Sequence, residues 1–197
     1  MSEQKAQSGM TLVEILVAMV ITGVVITGVY NLFRVHNLMA AKQEETTLMQ
    51  QELLSIIILM ADDLRMCGYA PTTGTFGFNA TGTNATAVFC TSDKNRNGVL
   101  DANNTNPEHL GYRFSGNQIA IFEPESSSWV STSDVFADLQ LRYFDSTGTL
   151  LAVNGNNTGN IRFVEITATA TASPARANLP IANRTMTTIV YCRNLGI

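Results

Sequence analysis

The sequence contains little charge and very little histidine, and both shortages narrow the functions open to the chain. Only 14% of its 197 residues are charged, and the formal net charge is −4. This mild acidic balance argues against nucleic acid as a partner, because nucleic-acid-binding surfaces are strongly basic. His36 and His109 are the only histidines. Since no glycine-rich phosphate loop, nucleophile elbow or HExxH motif accompanies them, we expect a protein that is not an enzyme.

Proline is absent between Met10 and Met66, and this stretch reads as one continuous helix. Residues 10–33 are apolar nearly all round and long enough to cross a membrane, which takes about 20 mostly apolar residues. No other run is long enough, so we expect a single pass. From residue 34 to residue 67 the helix is predicted to be amphipathic. Its apolar stripe comprises Val35, Leu38, Met39, Met49, Leu53, Ile56, Ile57, Met60 and Leu64. The opposite, polar face is predicted to carry Lys42, Glu44, Glu45, Gln51, Glu52, Asp62, Asp63 and Arg65.

The remainder, residues 68–197, is predicted to form a globular domain built on an antiparallel sheet. Gly68 is a plausible helix C-cap and Pro71 a stop. Short runs of alternating polarity predict strands at 87–91, 110–114, 118–122, 137–144, 162–171 and 185–193. A hairpin at residues 115–117 is expected to join the second and third. The fold class is therefore α+β, with a long N-terminal helix packed on an antiparallel sheet.

One carboxylate, Glu14, lies just inside the apolar run, and a short polar leader, residues 1–9, precedes it. A carboxylate at the centre of a membrane span costs about 3 kcal/mol, so it usually has a partner. A secretory signal peptide has an apolar region of about 7–15 residues, which is shorter than this run. A plain signal anchor fits the length but explains neither Glu14 nor the glycine that ends the leader.

The residues Gly9-Met10-Thr11-Leu12-Val13-Glu14 resemble the prepilin signal of type IV pilins and type II secretion pseudopilins. The resemblance implies that prepilin peptidase cleaves between Gly9 and Met10 and that the new amino group of Met10 is methylated. It also implies that Glu14 pairs with this amino group, on the same chain or a neighbour, and so sets the register of assembly.

The resemblance also implies partners and a location. The partners are other minor and major pilins through the N-terminal helix, the prepilin peptidase/methylase and the inner-membrane assembly platform. The chain would cross the bacterial inner membrane once, with its globular domain in the periplasm, and would then enter the pilus fibre or reach the cell surface.

Three later segments resemble PilW-like minor pilins: residues 62–71 (DDLRMCGYAP), 161–167 (IRFVEIT) and 193–195 (RNL). That group implies a structural subunit that primes or supports assembly of a type IV pilus, at or near its tip, and a link to motility and cell adhesion. One alternative is a J-type minor pseudopilin of a type II secretion system, and another is a membrane-anchored calcium-dependent adhesin. Two departures from the pilin pattern are Met10, where many members have phenylalanine, and Asn31, in a region where many have a proline that kinks the helix.

A polar loop at residues 93–101 contains most of a calcium-binding pattern. The expected ligands are the side chains of Asp93, Asn95, Asn97 and Asp101 and the carbonyl of Val99, with Gly98 at the turn. The twelfth position of the pattern, normally a bidentate glutamate, is Asn104, so binding would be weak. The same residues also suit a hairpin loop without metal. Calcium is the only cofactor that the sequence suggests.

Three cysteines, Cys67, Cys90 and Cys192, allow one disulfide and one free thiol. All three follow the apolar run and would meet an oxidising compartment if the domain is exported. Cys67 continues the apolar stripe of the helix. We favour Cys67–Cys90 because it closes the shorter loop, with Cys192 as the alternative partner, and a chain without any disulfide remains open.

Overall fold

A computed structural model describes residues 10–71, 75–101, 108–124, 126–153, 157–176 and 178–195. The leader, Gly9 and Asn104 therefore lie outside the described residues. The chain divides into two compact units, Met1–Glu44 and Glu45–Ile197. The long helix, α1, spans Leu12–Met66 and so contributes to both. At its end Gly68 adopts φ 74°, the left-handed conformation of a residue that terminates a helix.

Two antiparallel four-stranded sheets make up most of the second unit. Sheet one contains β1 (Ala87–Thr91), β2 (His109–Ser115), β3 (Gln118–Glu123) and β4 (Ser128–Ser131), in the order β1-β2-β3-β4. Sheet two contains β5 (Phe136–Phe144), β6 (Leu150–Leu151), β7 (Phe163–Ala170) and β8 (Arg184–Tyr191), in the order β6-β5-β7-β8. Short 3₁₀ turns lie at Thr158–Asn160 and Pro174–Arg176.

The α+β class and all six predicted strands are confirmed, with strand ends that differ by at most two residues. The expected hairpin joins β2 to β3, with Gly116 and Asn117 both at positive φ as a two-residue hairpin turn requires. The strands form two sheets rather than the one antiparallel sheet that was predicted. Strands β4 and β6 were not predicted. Both missed strands are short, at four and two residues, so neither can display a recognisable alternation.

The core of the second unit forms between the last five turns of α1 and the inner faces of both sheets. Its helical members are Met49, Leu53, Ile56, Ile57, Met60, Ala61 and Leu64. Its largest strand members include Val88, Tyr112, Ile119, Phe136, Leu139 and Ile166. The predicted stripe is thus confirmed from Met49 onward, whereas Val35, Leu38 and Met39 are exposed in the first unit.

Glu45 corrects the predicted polar face of α1, because its side chain is buried and only 3% exposed. One carboxylate oxygen accepts a hydrogen bond from the Ser173 backbone N–H at 2.6 Å. The other lies 3.6 Å from Nε of Arg176. Burial of a charge is tolerated when it is paired in this way. Glu45 therefore holds the turn around Pro174–Arg176 against the helix.

Asp63, also placed on the polar face, is half-buried and accepts a hydrogen bond from the Tyr112 hydroxyl. Burial, together with the nearby Asp63 carboxylate, raises the pKa of Tyr112, so this hydroxyl remains a donor. The bond links α1 to the centre of sheet one.

A disulfide joins Cys67, directly after α1, to Cys90 on β1. This is the pairing that the sequence analysis favoured. Cys192 is a free, buried thiol just beyond β8. Burial raises its pKa to about 12, which keeps the thiol protonated and unreactive at neutral pH.

Candidate assembly helix and polar loop

The part of α1 in the first unit has no buried residue, although it is the most apolar segment of the chain. By length and apolar composition the helix could cross a membrane. Val24, for example, is 70% exposed. Soluble proteins rarely leave so large an apolar surface in water. This segment therefore requires lipid or other helices around it.

Thr11 and Glu14 form a capping box at the start of α1. Glu14 Oε2 accepts hydrogen bonds from the Thr11 backbone N–H at 2.8 Å and from the Thr11 hydroxyl at 3.0 Å. In return the Glu14 N–H donates to the Thr11 hydroxyl at 3.3 Å. A threonine at the N-cap and a glutamate three residues later satisfy N–H groups that have no partner within the helix. This local role of Glu14 was not predicted, although the T-x-x-E pattern is its sequence signature.

The pairing of Glu14 with the amino group of Met10 stays a prediction. Both capping bonds use Oε2 of Glu14, which leaves Oε1 for another donor. Met10 is exposed beside the cap. The capping box and an ion pair with the terminal amine can therefore coexist.

A second polar group within the apolar run is satisfied internally. The Thr27 hydroxyl donates to the Gly23 carbonyl at 2.8 Å. Such a bond to the preceding turn lets a threonine enter an apolar environment without an unpaired polar group. The helix therefore accommodates Thr27 within the apolar run without an unpaired hydroxyl.

The polar loop is organised around the buried carboxylate of Asp93. Its two oxygens accept hydrogen bonds from the backbone N–H groups of Asn97 and Gly98, at 3.1 and 3.0 Å. Arg96 and Gly98 adopt positive φ, which turns the chain tightly around that carboxylate. The loop therefore wraps around Asp93, the residue at the first position of the calcium pattern.

Glu108, which the sequence analysis did not single out, closes the other side of the loop. It is fully buried, and its carboxylate accepts hydrogen bonds from the backbone N–H groups of Lys94 at 3.1 Å and Asp101 at 2.8 Å. It lies outside the spacing of the calcium pattern, so only the fold could reveal it. Glu108 brings both ends of the loop together from the residue before β2.

The predicted ligands of the loop lie close together. However, the oxygen atoms expected to bind calcium accept hydrogen bonds from N–H groups of the same loop. The side-chain amides of Asn95 and Asn97 both donate to Oδ2 of Asp101. The Val99 N–H donates to the Asn97 side chain at 2.7 Å. Among the described residues, no group of three His, Cys, Asp or Glu side chains is arranged to hold a metal. Calcium binding stays a prediction.

An aromatic cluster on the outer face of sheet one was also missed. The rings of Phe89, Phe122 and Trp129 pack edge to face, with centroids 4.9 and 5.4 Å apart. The Arg113 guanidinium lies over the Trp129 ring at 4.4 Å. Gly111 leaves room for the Phe89 ring, since a side chain there would collide with it. These residues are spread over four strands, so no linear motif marks them.

Comparisons with known families match both units of the chain. Residues 4–30 match the prokaryotic N-terminal methylation motif, which covers Gly9, Met10 and Glu14. Residues 42–191 match the family of prepilin peptidase-dependent protein B, over more than half of the chain. No curated protein and no solved structure matches the chain significantly.

The motif and the apolar helix are consistent with membrane anchoring, and the resemblance to type IV pilins is confirmed at the level of the superfamily. The chain is a pilin-like protein that carries the N-terminal methylation motif, and it belongs to the family of prepilin peptidase-dependent protein B.

Proposed function

We propose that this protein is a minor pilin, a subunit that primes or supports assembly of a type IV pilus at or near its tip. The observation that carries the proposal is the exposed apolar half of α1, with Glu14 capping its start next to the expected cleavage point. Because the chain itself covers none of these apolar side chains, lipid or another protein must cover them. In a fibre of related subunits, the neighbouring helices supply that environment.

The proposed mechanism begins with cleavage after Gly9 by prepilin peptidase in the inner membrane. Cleavage releases the Met10 amine, which stays cationic after methylation and lies four residues before Glu14 in the sequence. In an apolar surrounding, an ion pair is much stronger than in water. Contacts between apolar side chains have little directionality, so this ion pair would decide the axial position of each subunit.

PilW-like character is part of the proposal because residues 62–71, 161–167 and 193–195 resemble that group. A J-type minor pseudopilin of a type II secretion system is the alternative within the same superfamily. An anchored adhesin is the alternative from another class, and it needs neither cleavage after Gly9 nor Glu14. The chain would act with other pilins, the prepilin peptidase/methylase and the assembly platform, and its globular unit would first lie in the periplasm.

The decisive experiment separates the charge of Glu14 from its capping role. Glu14→Gln keeps a side-chain acceptor for Thr11 but removes the charge, whereas Thr11→Val removes the hydroxyl of the capping box and keeps the charge. We expect Glu14→Gln to lose incorporation into surface fibres almost as completely as Glu14→Leu. Thr11→Val should lose little, because a cap contributes only about 1 kcal/mol.

Fibre incorporation is measured by immunoblotting sheared surface fractions against whole cells, with the mature N-terminus checked by mass spectrometry. Normal incorporation of both Glu14 variants would contradict the register role. A chain that keeps residues 1–9 and lacks a methylated Met10 would contradict the proposal as a whole and favour the adhesin.

We also propose weak calcium binding by the loop at residues 93–101. The supporting observations are the clustering of Asp93 and Asp101 with two asparagines and the burial of Glu108 directly behind them. Calcium would replace N–H donors around these oxygens, so binding should rearrange the loop. Isothermal titration with calcium up to millimolar concentration should give heat with the unmodified chain and none with Asp93→Asn. Absence of heat from both would remove the calcium proposal and leave the assembly role untouched.

A further inference from the structure

The edges of the two sheets are not protected equally. Within the part of the chain that the structure describes, four strands lie at sheet edges: β1, β4, β6 and β8. Unpaired edges attract other strands, and proteins usually shorten, cover or charge them. The first three edges follow this rule. Strand β8 does not.

Strand β1 is covered by its own chain. Asn79 N–H donates to the Phe89 carbonyl at 2.8 Å, and Thr91 N–H donates to the Gly77 carbonyl at 3.0 Å. Strands β4 and β6 are short, at four and two residues. The part of β5 that β6 does not cover bonds to the segment just before β1, since Leu141 N–H donates to the Ala85 carbonyl at 2.7 Å. None of these edges offers a long free ladder.

Strand β8 has none of these protections. It runs for eight residues, RTMTTIVY, in unbroken register with β7 and without proline, glycine or bulge. Within the described ranges its backbone groups bond only to the β7 side. Its single charge is Arg184, at its first position. Ile189 and Tyr191 are 61% and 51% exposed, respectively.

The backbone groups on the free side of β8 can be assigned from its neighbours. Cys192 N–H donates to the carbonyl of Arg162, the residue before β7. Thr171 N–H, directly after β7, donates to the carbonyl of Val135, the residue before β5. Because donors alternate along an antiparallel strand, the even-numbered residues of β8 face β7. The odd-numbered residues, Thr185, Thr187, Ile189 and Tyr191, therefore direct their N–H and C=O groups outward.

We propose that β8 pairs with β8 of a second copy of this chain, antiparallel, about a two-fold axis at Thr188. This register sets Thr187 opposite Ile189 and Thr185 opposite Tyr191 of the other copy. It engages all four outward-facing residues of each strand, which gives about eight hydrogen bonds. Registers centred on Thr187 or Ile189 engage fewer of them. The result is a continuous eight-stranded sheet made from two four-stranded ones.

Charge and side-chain chemistry favour this occupant. In the antiparallel arrangement the two copies of Arg184 lie about 26 Å apart, beyond the screening length of about 8 Å, whereas parallel pairing would set them side by side. On the outer face, Thr185 and Thr187 already pair with Thr169 and Thr167 of β7, with hydroxyl distances of 2.9 and 3.0 Å. The second copy extends these rows and brings the two Ile189 side chains diagonally together, which removes exposed apolar surface.

Cysteine cross-linking of the full chain in detergent micelles tests this register directly. Thr188→Cys places two cysteines opposite each other in a non-hydrogen-bonded pair, with Cα atoms about 4.5 Å apart, which a disulfide can span. Thr185→Cys is the matched control, because the two copies of residue 185 would lie about 20 Å apart. Both variants carry Cys192→Ala, so the native disulfide is the only other cysteine pair. We expect a covalent dimer from Thr188→Cys and about tenfold less from Thr185→Cys.

Two further variants, each combined with Thr188→Cys, show whether strand pairing is responsible. Thr187→Pro removes an outward N–H without removing a bond to β7 and should abolish the covalent dimer, whereas Thr187→Val should preserve it. Ile189→Lys leaves the backbone intact, puts a charge on the edge and should also reduce the dimer about tenfold. Equal cross-linking at residues 185 and 188, none at either, or an unchanged dimer in a folded Ile189→Lys protein would each overturn the proposal. None of these outcomes depends on whether the protein enters a pilus.

Discussion

The two parts of α1 form one helix, but their apolar side chains differ in burial. From Leu12 to Glu44 no residue is buried, whereas from Glu45 to Met66 a residue is buried at almost every three- or four-residue step. The second part faces a core that the chain supplies itself. The first part exposes apolar side chains all round, so its burial partner must be lipid or another chain.

The second unit therefore owes its stability to its own core, while the first unit contributes apolar surface for association. Glu45 is the first residue of the second unit, and its carboxylate is engaged by Ser173 and Arg176. It lies four residues before Met49, so it continues the buried stripe with a charged residue.

Truncating a buried side chain in the second part of α1 should destabilise the protein strongly, whereas the same loss in the first part should not. Leu53 is 1% exposed, and Leu53→Ala is expected to lower the free energy of unfolding by about 2–5 kcal/mol. Val24→Ala, at an exposed position, should change it by less than about 0.5 kcal/mol. Urea unfolding of the full chain in micelles can be followed by the fluorescence of Trp129, the only tryptophan. Similar midpoints for the two variants would contradict the division.

Removing the Glu45 carboxylate should have a smaller but clear effect. Glu45→Ala leaves the Ser173 N–H without its acceptor and should cost about 1–3 kcal/mol in the same urea assay. Glu45→Gln keeps an acceptor and should lose less. Glu52→Ala, on the exposed side of the same helix, is the control and should be close to the unmodified protein. A Glu45→Ala protein as stable as this control would show that the buried contact contributes nothing.

The free thiol of Cys192 should resist alkylation in the folded protein. Its ionisation should have little effect on the free energy of unfolding at neutral pH. Its pKa is raised by burial to about 12, so the thiolate fraction is negligible at pH 8. The neutral thiol is favoured in the folded state, so its contribution to stability is full below about pH 9 and is lost towards pH 12. Iodoacetamide labelling at pH 8, followed by mass spectrometry, should modify Cys192 only after unfolding in urea. Equal labelling rates with and without urea would contradict its burial.

Some residues of the candidate sites can be predicted from neighbouring sequence, whereas others depend on contacts between segments that are far apart in the chain. The Gly9–Glu14 motif and the 93–101 pattern are contiguous, so sequence alone suffices to find them. The capping box of Thr11 and Glu14 is equally local and could have been predicted from the T-x-x-E spacing. Glu108 and the aromatic cluster around Phe89 could not, because their partners come from distant segments that only the folded chain brings together.

Local sequence patterns were enough to predict the long helix, the positions of six strands, the α+β class and the membrane-compatible run with its single carboxylate. These depend on periodicity and composition within a few neighbouring residues. The division of the strands into two sheets, the burial of Glu45 and the free edge of β8 became evident only from the folded chain. Strand partners and burial depend on which distant segments meet, and no local pattern of side chains contains that information.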